Sequence, residues 1–556
     1  MTEPDLLIKN ARIVDGTGAS EYMGNVAITD GLISYIGDQA SPLAKKEINA
    51  KGSILTPGFI DIHTHFDPQL CWDGLATPSL EHGVTTVFIG NCSLSLAPVK
   101  GEGNNKIISM FEVIEDIKKP TFDAAVPFSW ESFAEYLDFI RPTLGLNVAA
   151  LIGHSALRYY VMGKESQERE ATTAEIDQMC RLVSDAMTAG AAGISSSYVD
   201  VDENMRPVPS QYANLDEKIA LAQAARTETR GIWQVVPYFL DMKRQLANIR
   251  ELGEISLKTG ISCSLQPVLS SPADPKAVEI INALQAEADR GARVYGQVMP
   301  RCFDMNLRLS ETSMLLFGLP TWKSIMDMPT DQRKQEFANP KNRKDLVAEM
   351  KTPQGMGAAL PFLTVGDVSA KENLEYRGRY LAEICQTEGR EIGDVILDLS
   401  LADSLETEFR LENVMNADKA AVADLMDHPL LHFGASDAGA HITQFCGTGD
   451  TTHMLEHYIR DTKKMTLERG IHRMTGEVAS TWGLSDRGQI TVGKAADLVL
   501  FDLDQIACGD MELTDDFPGE ARRYIRHAQG YSKVIVNGEI VLSDGQYTDA
   551  RSGQVV

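Results

Sequence analysis

Two histidines separated by one residue are the clearest sign of chemistry in the sequence. His63 and His65 close the apolar stretch TPGFIDIHTH, residues 56–65. Side chains two positions apart on a β-strand point to the same face, so both imidazoles can reach one metal ion. Zn²⁺ and similar divalent cations bind imidazole nitrogen readily. The pair therefore predicts a metal site at the end of a strand.

A late aspartate supplies a carboxylate in a comparable setting. Asp437 follows the apolar run LLHFGAS, residues 430–436, which is typical of the end of a strand. A carboxylate there can touch a metal ion and its water molecule, accept a proton and pass it to a leaving amine. A helix N-cap aspartate is the structural alternative. We expect Asp437 to be both a catalytic residue and a metal ligand.

Few other imidazoles are available, because no histidine occurs between His154 and His428. His154 follows a predicted strand, and it could be a metal ligand, a substrate contact or a structural residue. His441 lies four residues after Asp437 and could orient it or meet the substrate.

The elements that must position these residues alternate along the middle of the chain. Residues 85–89, 147–152 and 231–236 read as short apolar strands, whereas 173–189 and 215–227 have helical patterns. This alternation predicts βαβ units and a parallel sheet. The length favours an α/β fold of the (β/α)8 TIM-barrel type, in which the C-terminal ends of the strands carry function.

The two ends of the chain are both rich in strand patterns, which predicts one small β-sandwich built from residues 1–56 and 487–556. The barrel would then occupy residues 57–486. A segment around residues 301–361 is richer in polar residues, Met and Pro and interrupts the alternation. We expect an insertion over the active-site face there, a plausible lid.

Net charge, apolar runs and cysteine spacing limit the classes of partner and the location that the sequence predicts. The formal net charge of -26 argues against nucleic acid and anionic membranes. There is neither an apolar run long enough for a transmembrane helix nor a secretory signal. The eight cysteines form no CxxC pair, which favours a reducing, cytoplasmic location.

Several short motifs together resemble one family. They are PGFIDIHTH at 57–65, GNC at 90–92, GH at 153–154, SD at 436–437 and VGKAADLV at 492–499. The chain resembles the amidohydrolase superfamily, specifically its N-acyl-D-amino-acid deacylase, or D-aminoacylase, branch. The resemblance implies metal-dependent hydrolysis of a C–N amide bond in a small molecule.

The resemblance also implies ligands, and the chain departs from them in part. Cys92 matches a cysteine that ligates zinc in D-aminoacylases, although a buried inert cysteine is the alternative. Histidines expected on the fourth and fifth strands are replaced by Gln234 and Gln266. An amide is a poor Zn²⁺ ligand but a good hydrogen-bonding group, so these glutamines either contact substrate or ligands or bond structurally.

A lysine that could bridge two ions is missing from the same strand ends. We therefore expect a single divalent ion, with zinc favoured, held by His63, His65 and Asp437. Cys92 and His154 are the candidates for further ligands.

Substrate recognition departs from the family as well. The family's His-Pro-Arg segment, whose arginine grips the substrate carboxylate, is replaced by ITQFCGTG at 442–449. Arg158 could clamp a carboxylate through its planar fork, or form a structural pair. Hydrolysis of another amide, a cyclic amide, an ester or a lactone stays open, as does a catalytically inactive binding protein on the same fold. The expected partner is a small-molecule amide, and association into homo-oligomers is left open.

Overall fold

The computed structural model describes residues 3–38, 43–270, 276–316, 318–351 and 355–556, with only the backbone described for 355–358. The chain divides into two compact units. The first comprises Met1–Arg301, Asp418–Ala440 and Cys446–Val556, and the second comprises Cys302–Ala417 and His441–Phe445.

The strands, in chain order, are β1 (Leu6–Ile13), β2 (Tyr22–Thr29), β3 (Leu32–Gly37), β4 (Lys46–Asn49), β5 (Ile54–Pro57), β6 (Phe59–Asp61), β7 (Val84–Ile89), β8 (Asn147–Gly153), β9 (Gly193–Ser197), β10 (Ile232–Val236), β11 (Ser262–Leu265), β12 (Val294–Val298), β13 (Met305–Leu307), β14 (Thr364–Val365), β15 (Phe409–Leu411), β16 (Leu431–Phe433), β17 (Leu498–Phe501), β18 (Ala507–Cys508), β19 (Glu512–Phe517), β20 (Ala521–Ile525), β21 (Ala528–Gln529), β22 (Tyr531–Val536), β23 (Glu539–Ser543) and β24 (Gln546–Tyr547).

The α-helices are α1 (Gly103–Ile114), α2 (Lys119–Ala125), α3 (Phe133–Ile140), α4 (His154–Met162), α5 (Thr173–Ala189), α6 (Leu215–Ala225), α7 (Met242–Thr259), α8 (Lys276–Asp289), α9 (Pro320–Met326), α10 (Thr330–Ala338), α11 (Pro340–Glu349), α12 (Leu381–Glu388), α13 (Ile392–Ala402), α14 (Lys419–Asp427), α15 (Asp450–His453), α16 (Leu467–Met474) and α17 (Gly476–Thr481).

Eight parallel strands form the sheet that positions the site, in the order β16-β12-β11-β10-β9-β8-β7-β6. The two edge strands meet beyond their C-terminal ends, where Thr64 pairs with Ala438 in parallel register. His65 N donates to Ala438 O at 2.7 Å, and Asp437 N donates to His63 O at 3.1 Å. These bonds join the edges of the barrel at the residues predicted to carry the chemistry. The predicted (β/α)8 fold is confirmed.

Local sequence explains these elements. Strands β7 and β8 are buried at every position, as expected of a parallel sheet covered on both faces. Helix α5 begins with a capping box, in which the Thr172 side chain accepts from Glu175 N and the Glu175 side chain accepts from Thr172 N. It ends at Gly190, whose φ of 114° lies in the region that favours glycine.

A second sheet of nine strands combines both ends of the chain. Its main path is β24-β23-β22-β17-β5-β1-β2-β3, and β4 pairs with β1. The late strand β17 lies beside the early strand β5, with Leu498 opposite Pro57. Because β6 follows β5 after one residue, this sheet leads directly into the first barrel strand. Strands from both ends of the chain thus share one sheet, and the division into a β-sandwich of residues 1–56 and 487–556 stays a prediction.

The second unit has its own antiparallel sheet, β13-β15-β14, and helices α9 to α13. Its core includes the buried side chains of Trp322, Phe337 and Phe409. The insertion predicted around residues 301–361 overlaps this unit, which continues to Ala417.

The strands that carry the two glutamines are β10 and β11, the fifth and sixth of the barrel rather than the fourth and fifth. The difference arises because β9, Gly193–Ser197, is a full barrel strand between β8 and β10. Among the described residues, no helix combines the length and hydrophobicity needed to cross a membrane.

Candidate metal centre

The two histidines and the aspartate converge at the mouth of the barrel. His63 Nε2 lies 3.3 Å from Asp437 Oδ1, and His65 Nε2 lies 3.1 Å from the same oxygen. Both imidazoles are fully buried, whereas the Asp437 side chain is 17% exposed. One carboxylate oxygen thus faces two imidazole nitrogens at the open end of the sheet.

Cys92 completes this group. Its Sγ atom lies 3.5 Å from His63 Nε2. One atom each of His63, His65 and Cys92 lies within 4.8 Å of the others. Ligand atoms on a tetrahedron with zinc bonds of about 2.0 to 2.3 Å stand about 3.3 to 3.8 Å apart. The three contacts given above, 3.1 to 3.5 Å, are close to that size, so His63, His65 and Cys92 form a group that can hold one ion, with Asp437 against both imidazoles.

A tight turn after β7 aims the cysteine. Gly90, Cys92 and Ser93 have φ values of 78°, 52° and 70°. A side chain at Gly90 would place Cβ 1.9 Å from Leu151 O, so glycine is required there. Ser195 of β9 bridges the turn, because its Oγ accepts from Ser93 N at 2.9 Å and donates to Gly90 O. Two non-glycine residues in the left-handed region are strained, and this bridge helps to hold them.

The backbone around Asp437 is supported by hydrogen bonds and close packing. Ser436 Oγ donates to Asp61 Oδ2 at 2.6 Å. Arg301, which follows β12, donates to Gly447 O at 2.8 Å. A Cβ at Gly447 would approach Ser436 O to 2.4 Å and Asp437 C to 2.5 Å. The loop after Asp437 is therefore packed against it and anchored by an arginine from a different strand.

The two glutamines contact the proposed ligands. The Gln234 amide nitrogen lies 3.4 Å from His63 Nδ1. Gln266 Nε2 donates to Cys92 Sγ at 3.5 Å. Coordination through Nε2 of His63 requires hydrogen on Nδ1, and this needs an acceptor there. In a metal-bound centre the Gln234 amide would therefore turn its oxygen, which has no hydrogen bond among the described residues, toward Nδ1.

Three acids near this group were missed from sequence: Glu115 and Asp67 are buried, and Asp200 is half-buried. Glu115 Oε1 lies 3.1 Å from His65 Nδ1. Asp67 accepts from Gly90 N at 3.1 Å, and Asp200 lies on the loop after β9. Asp67 continues the spacing of residues 63 and 65 by two more positions, a signal that could have found it. Glu115 follows α1 in a stretch with no motif.

Burial makes these acids hard to ionise. It raises the pKa of Asp67 and of Asp200 to about 6 in each case, and that of Glu115 well above its usual value. The pKa of the Cys92 thiol is raised well above its usual value, chiefly by burial and then by Glu115 and Asp200. A bound cation acts in the opposite direction, since coordination deprotonates a thiol and stabilises carboxylates.

Asp437 and His65 shift as an ion pair. Burial alone would raise the pKa of Asp437, but the neighbouring imidazoles of His63 and His65 hold it well below its usual range. Burial alone would lower the pKa of His65, but Glu115 and then Asp437 raise it to about 9. Asp437 is therefore ionised and available as a ligand and proton acceptor.

Several buried atoms here have no hydrogen bond within the described part of the chain. They are both ring nitrogens of His65, both carboxylate oxygens of Glu115 and Oε1 of Gln234. The 3.1 Å approaches of His65 to its acids are ion-pair contacts without hydrogen-bond angles. Leaving a buried polar group unsatisfied costs about 1 to 3 kcal/mol. Converging unsatisfied donors of these types fit a divalent cation.

His154 and Arg158 lie in a different network. His154 Nε2 is 2.9 Å from Glu217 Oε1, and its Nδ1 is 3.1 Å from Ser196 Oγ. Arg158 donates to the other oxygen of Glu217 and to Arg169 O at 3.0 Å. With both ring nitrogens engaged and the guanidinium fully buried, the structure does not bring these two residues into the metal group.

His441 belongs to the second unit. Its carbonyl accepts from Gln444 N at 2.7 Å and from Phe445 N at 3.1 Å, and its ring centroid lies 5.4 Å from that of Phe445. Its predicted role toward Asp437 or substrate stays a prediction.

Comparison with known proteins gives a consistent family. The sequence pattern of the amidohydrolase family matches residues 46–283 and 373–542. N-acyl-D-aspartate deacylase of Alcaligenes xylosoxydans xylosoxydans is 28% identical over 563 residues, covering 100% of this chain and 95% of that protein. D-aminoacylase of the same organism is 26% identical over 577 residues, covering 99% and 97%.

A solved structure of D-aminoacylase has the same fold. It is 25% identical, with a TM-score of 0.67, and 99% of each chain is covered. That work concerns the binuclear metal centre of D-aminoacylase, with one-metal activation and second-metal attenuation.

Proposed function

Since the chain belongs to the amidohydrolase family and is a metal-dependent hydrolase of C–N amide bonds, we propose that it removes the acyl group from an N-acyl-D-amino acid. We further propose that one Zn²⁺ ion serves the reaction. The substrate class is taken from the deacylases to which the chain is similar along nearly its full length.

The grouping of His63, His65 and Cys92, with Asp437 against both imidazoles, is the observation that carries the proposal. His63 and His65 would bind through Nε2, Cys92 through Sγ and Asp437 through Oδ1, and three separations among these atoms are 3.1 to 3.5 Å. Two imidazoles, a thiolate and a carboxylate form a donor set that suits Zn²⁺.

A single ion is favoured by the glutamines. Gln234 and Gln266 stand where further nitrogen ligands would be needed, and their amide groups contact His63 and Cys92 instead. An amide is a weak ligand beside imidazole or thiolate. The amide nitrogens of both glutamines are directed at the first set of ligands, and neither strand end supplies an imidazole for a second ion.

The chemistry follows from the position of Asp437. His63, His65, Cys92 and Asp437 would hold a divalent cation, which when bound would supply polarisation of the scissile carbonyl and a lowered pKa for a water molecule. The Asp437 carboxylate, kept ionised by His63 and His65, accepts the proton from the attacking water. It then delivers that proton to the leaving amine as the C–N bond breaks. The supported backbone of Asp437 keeps its carboxylate near both positions.

Recognition of the substrate carboxylate would differ from the family. The loop after Asp437 lacks the family's arginine and is anchored by Arg301, which donates to Cys446 O at 3.1 Å. That guanidinium also pairs with Asp450 at 2.5 Å. We therefore propose that this chain prefers side chains or acyl groups different from those of its deacylase relatives.

A cytosolic location is part of the proposal. All eight cysteines are described, and all are free thiols. Free thiols suit a reducing compartment.

Metal analysis together with a substrate screen tests the proposal. We expect one zinc per chain and release of amine from N-acetyl-D-amino acids, but not from their L-enantiomers. His63→Ala should abolish both, because it removes a ligand. His527→Ala is the matched control, since His527 is a half-exposed histidine paired with Glu81 and Glu512.

Three results would contradict different parts of this proposal. Hydrolysis by the metal-free protein would refute the proposed metal centre. Two zinc ions per chain would refute the single-ion proposal and leave the proposed reaction intact. Cleavage of esters or cyclic amides alone would keep the centre and replace the substrate class.

A further inference from the structure

We propose that Glu115 is a positioning residue for the metal centre: with a cation held at Nε2 of His65, the Glu115 carboxylate beside Nδ1 would accept a hydrogen bond from that nitrogen and keep the lone pair of Nε2 directed at the ion. The inference rests on the proposed metal site. In it, Glu115 orients His65 and takes no direct part in the hydrolysis.

Each ring nitrogen of His65 faces a carboxylate. Nδ1 lies 3.1 Å from Glu115 Oε1, and Nε2 lies 3.1 Å from Asp437 Oδ1. A neutral imidazole has one N–H donor and one acceptor nitrogen. A carboxylate at Nδ1 selects the form with hydrogen on that nitrogen and leaves Nε2 free to coordinate. Metal-binding histidines commonly depend on such a partner.

The Glu115 side chain makes no hydrogen bond among the described residues. That side chain is 1% exposed. Its backbone N donates to Phe111 O at 2.9 Å, which ties the residue to the end of helix α1. The neighbouring acid, Asp116, pairs instead with Lys118. A buried carboxylate without a hydrogen bond is costly unless a nearby charge offsets that cost.

Glu217 offers a matched control within the same chain. It too is a fully buried glutamate against a histidine, with Glu217 Oε1 2.9 Å from His154 Nε2. Arg158 pairs with its other oxygen. The two glutamates share burial and residue type, and they differ in whether their histidine belongs to the metal group.

The test measures zinc affinity by competition with a chromophoric chelator, and Co²⁺ spectra of the same proteins. We expect Glu115→Leu to weaken zinc binding about 10- to 100-fold, the usual cost of losing such a partner. Glu115→Gln should lose less, because its amide oxygen can still accept the Nδ1 hydrogen. Glu217→Gln should bind zinc like the wild type. All four proteins should bind the same number of ions at saturation.

A stability measurement separates positioning from simple packing. Without metal, Glu115→Gln should unfold at the wild-type temperature or higher, since it replaces a buried carboxyl group that makes no hydrogen bond among the described residues with a neutral amide of the same shape. Glu217→Gln should unfold at a lower temperature, since it weakens the partner of Arg158.

Wild-type zinc affinity in both Glu115 variants would overturn the inference, and so would an equal loss in Glu217→Gln. Should Glu115→Leu fail to fold, the isosteric Glu115→Gln decides, and a loss below about 2-fold would count against positioning. A wild-type protein that binds no zinc would instead refute the proposed metal site.

Discussion

Two buried histidine–glutamate pairs lie in the first unit, and they differ in how their charge is balanced. Glu217 pairs with His154 at 2.9 Å and also with Arg158. Glu115 pairs with His65 at 3.1 Å, and the other nitrogen of that ring faces a second carboxylate. The first group is completed by a cation of the chain itself, whereas the second adds further negative charge.

The pKa shifts follow this difference. Burial alone would raise the pKa of Glu217, but His154 and Arg158 bring it below its usual value. Burial raises the pKa of Glu115 well above its usual value, and His65 only partly offsets this. Two pairs of the same residue types thus serve different ends. One is a closed structural ion pair, and the other is, in our proposal, part of a site that gains from an added cation.

Asp437→Asn should have the largest effect on the metal-binding side of the comparison. At saturating zinc we expect kcat to fall about 10²- to 10⁴-fold, because the amide cannot accept the proton from water. Steady-state hydrolysis measures this, with the surface variant Asp138→Asn as control. An Asp437→Asn protein with wild-type kcat would show that another group moves the proton.

Arg158→Met should have the largest effect on the ion pair of Glu217 with His154 and Arg158. Removing the guanidinium leaves Glu217 buried without its arginine, which costs about 3 to 5 kcal/mol of unfolding free energy. Urea denaturation measures the loss, and zinc affinity should be unchanged. If stability were kept while KM rose, Arg158 would be a substrate clamp, as its sequence context also allowed.

Asp200→Asn should change how the stability of the metal-free protein depends on pH. The folded pKa of Asp200, about 6, lies above that of a free aspartate, so its contribution to stability is present below pH 4 and is lost as pH rises through 6. A shift of this size corresponds to at most about 3 kcal/mol. The variant should therefore gain stability relative to wild type between pH 4 and pH 7, measured by denaturant titration. A constant difference across that range would refute the shift.

Two adjacent serines on β9 offer the finest distinction. Ser195 bridges the turn that carries Cys92, whereas Ser196 Oγ lies 3.1 Å from His154 Nδ1. We expect Ser195→Ala to cost about 1 kcal/mol in stability and to reduce the thiolate-to-Co²⁺ absorption. Ser196→Ala should have a similar cost in stability but leave that absorption unchanged. Equal spectra in both variants would remove Ser195 from the support of Cys92.

The sequence predicted the barrel and part of its centre for local reasons. The alternation of apolar strands with helices is repeated often enough to indicate parallel βαβ units. His63 and His65 stand two positions apart on one strand, so their convergence is visible without a fold. Asp67 extends the same spacing and could have been found by the same argument. Cys92, by contrast, entered through family resemblance.

Glu115 and Ser195 could not be predicted, because their roles depend on contacts between distant segments. Glu115 meets His65 across 50 positions of sequence, and Ser195 meets Ser93 across 102. His154 shows the opposite case. In the sequence, a histidine that follows a strand is a candidate metal ligand. In the structure, Nε2 of His154 lies 2.9 Å from Glu217 Oε1 and is therefore engaged.

Residue types and spacings alone were enough to indicate a barrel hydrolase with a histidine pair, because strand periodicity acts over a few residues. Packing decided that Glu217 pairs with an arginine and that Glu115 does not. In the folded chain, Arg158 reaches Glu217, and the segment after α1 brings Glu115 to His65. Burial removes water from both acids, so the nearest charge, which only the tertiary structure sets, separates the ion pair of Glu217 from the metal-centre role that we propose for Glu115.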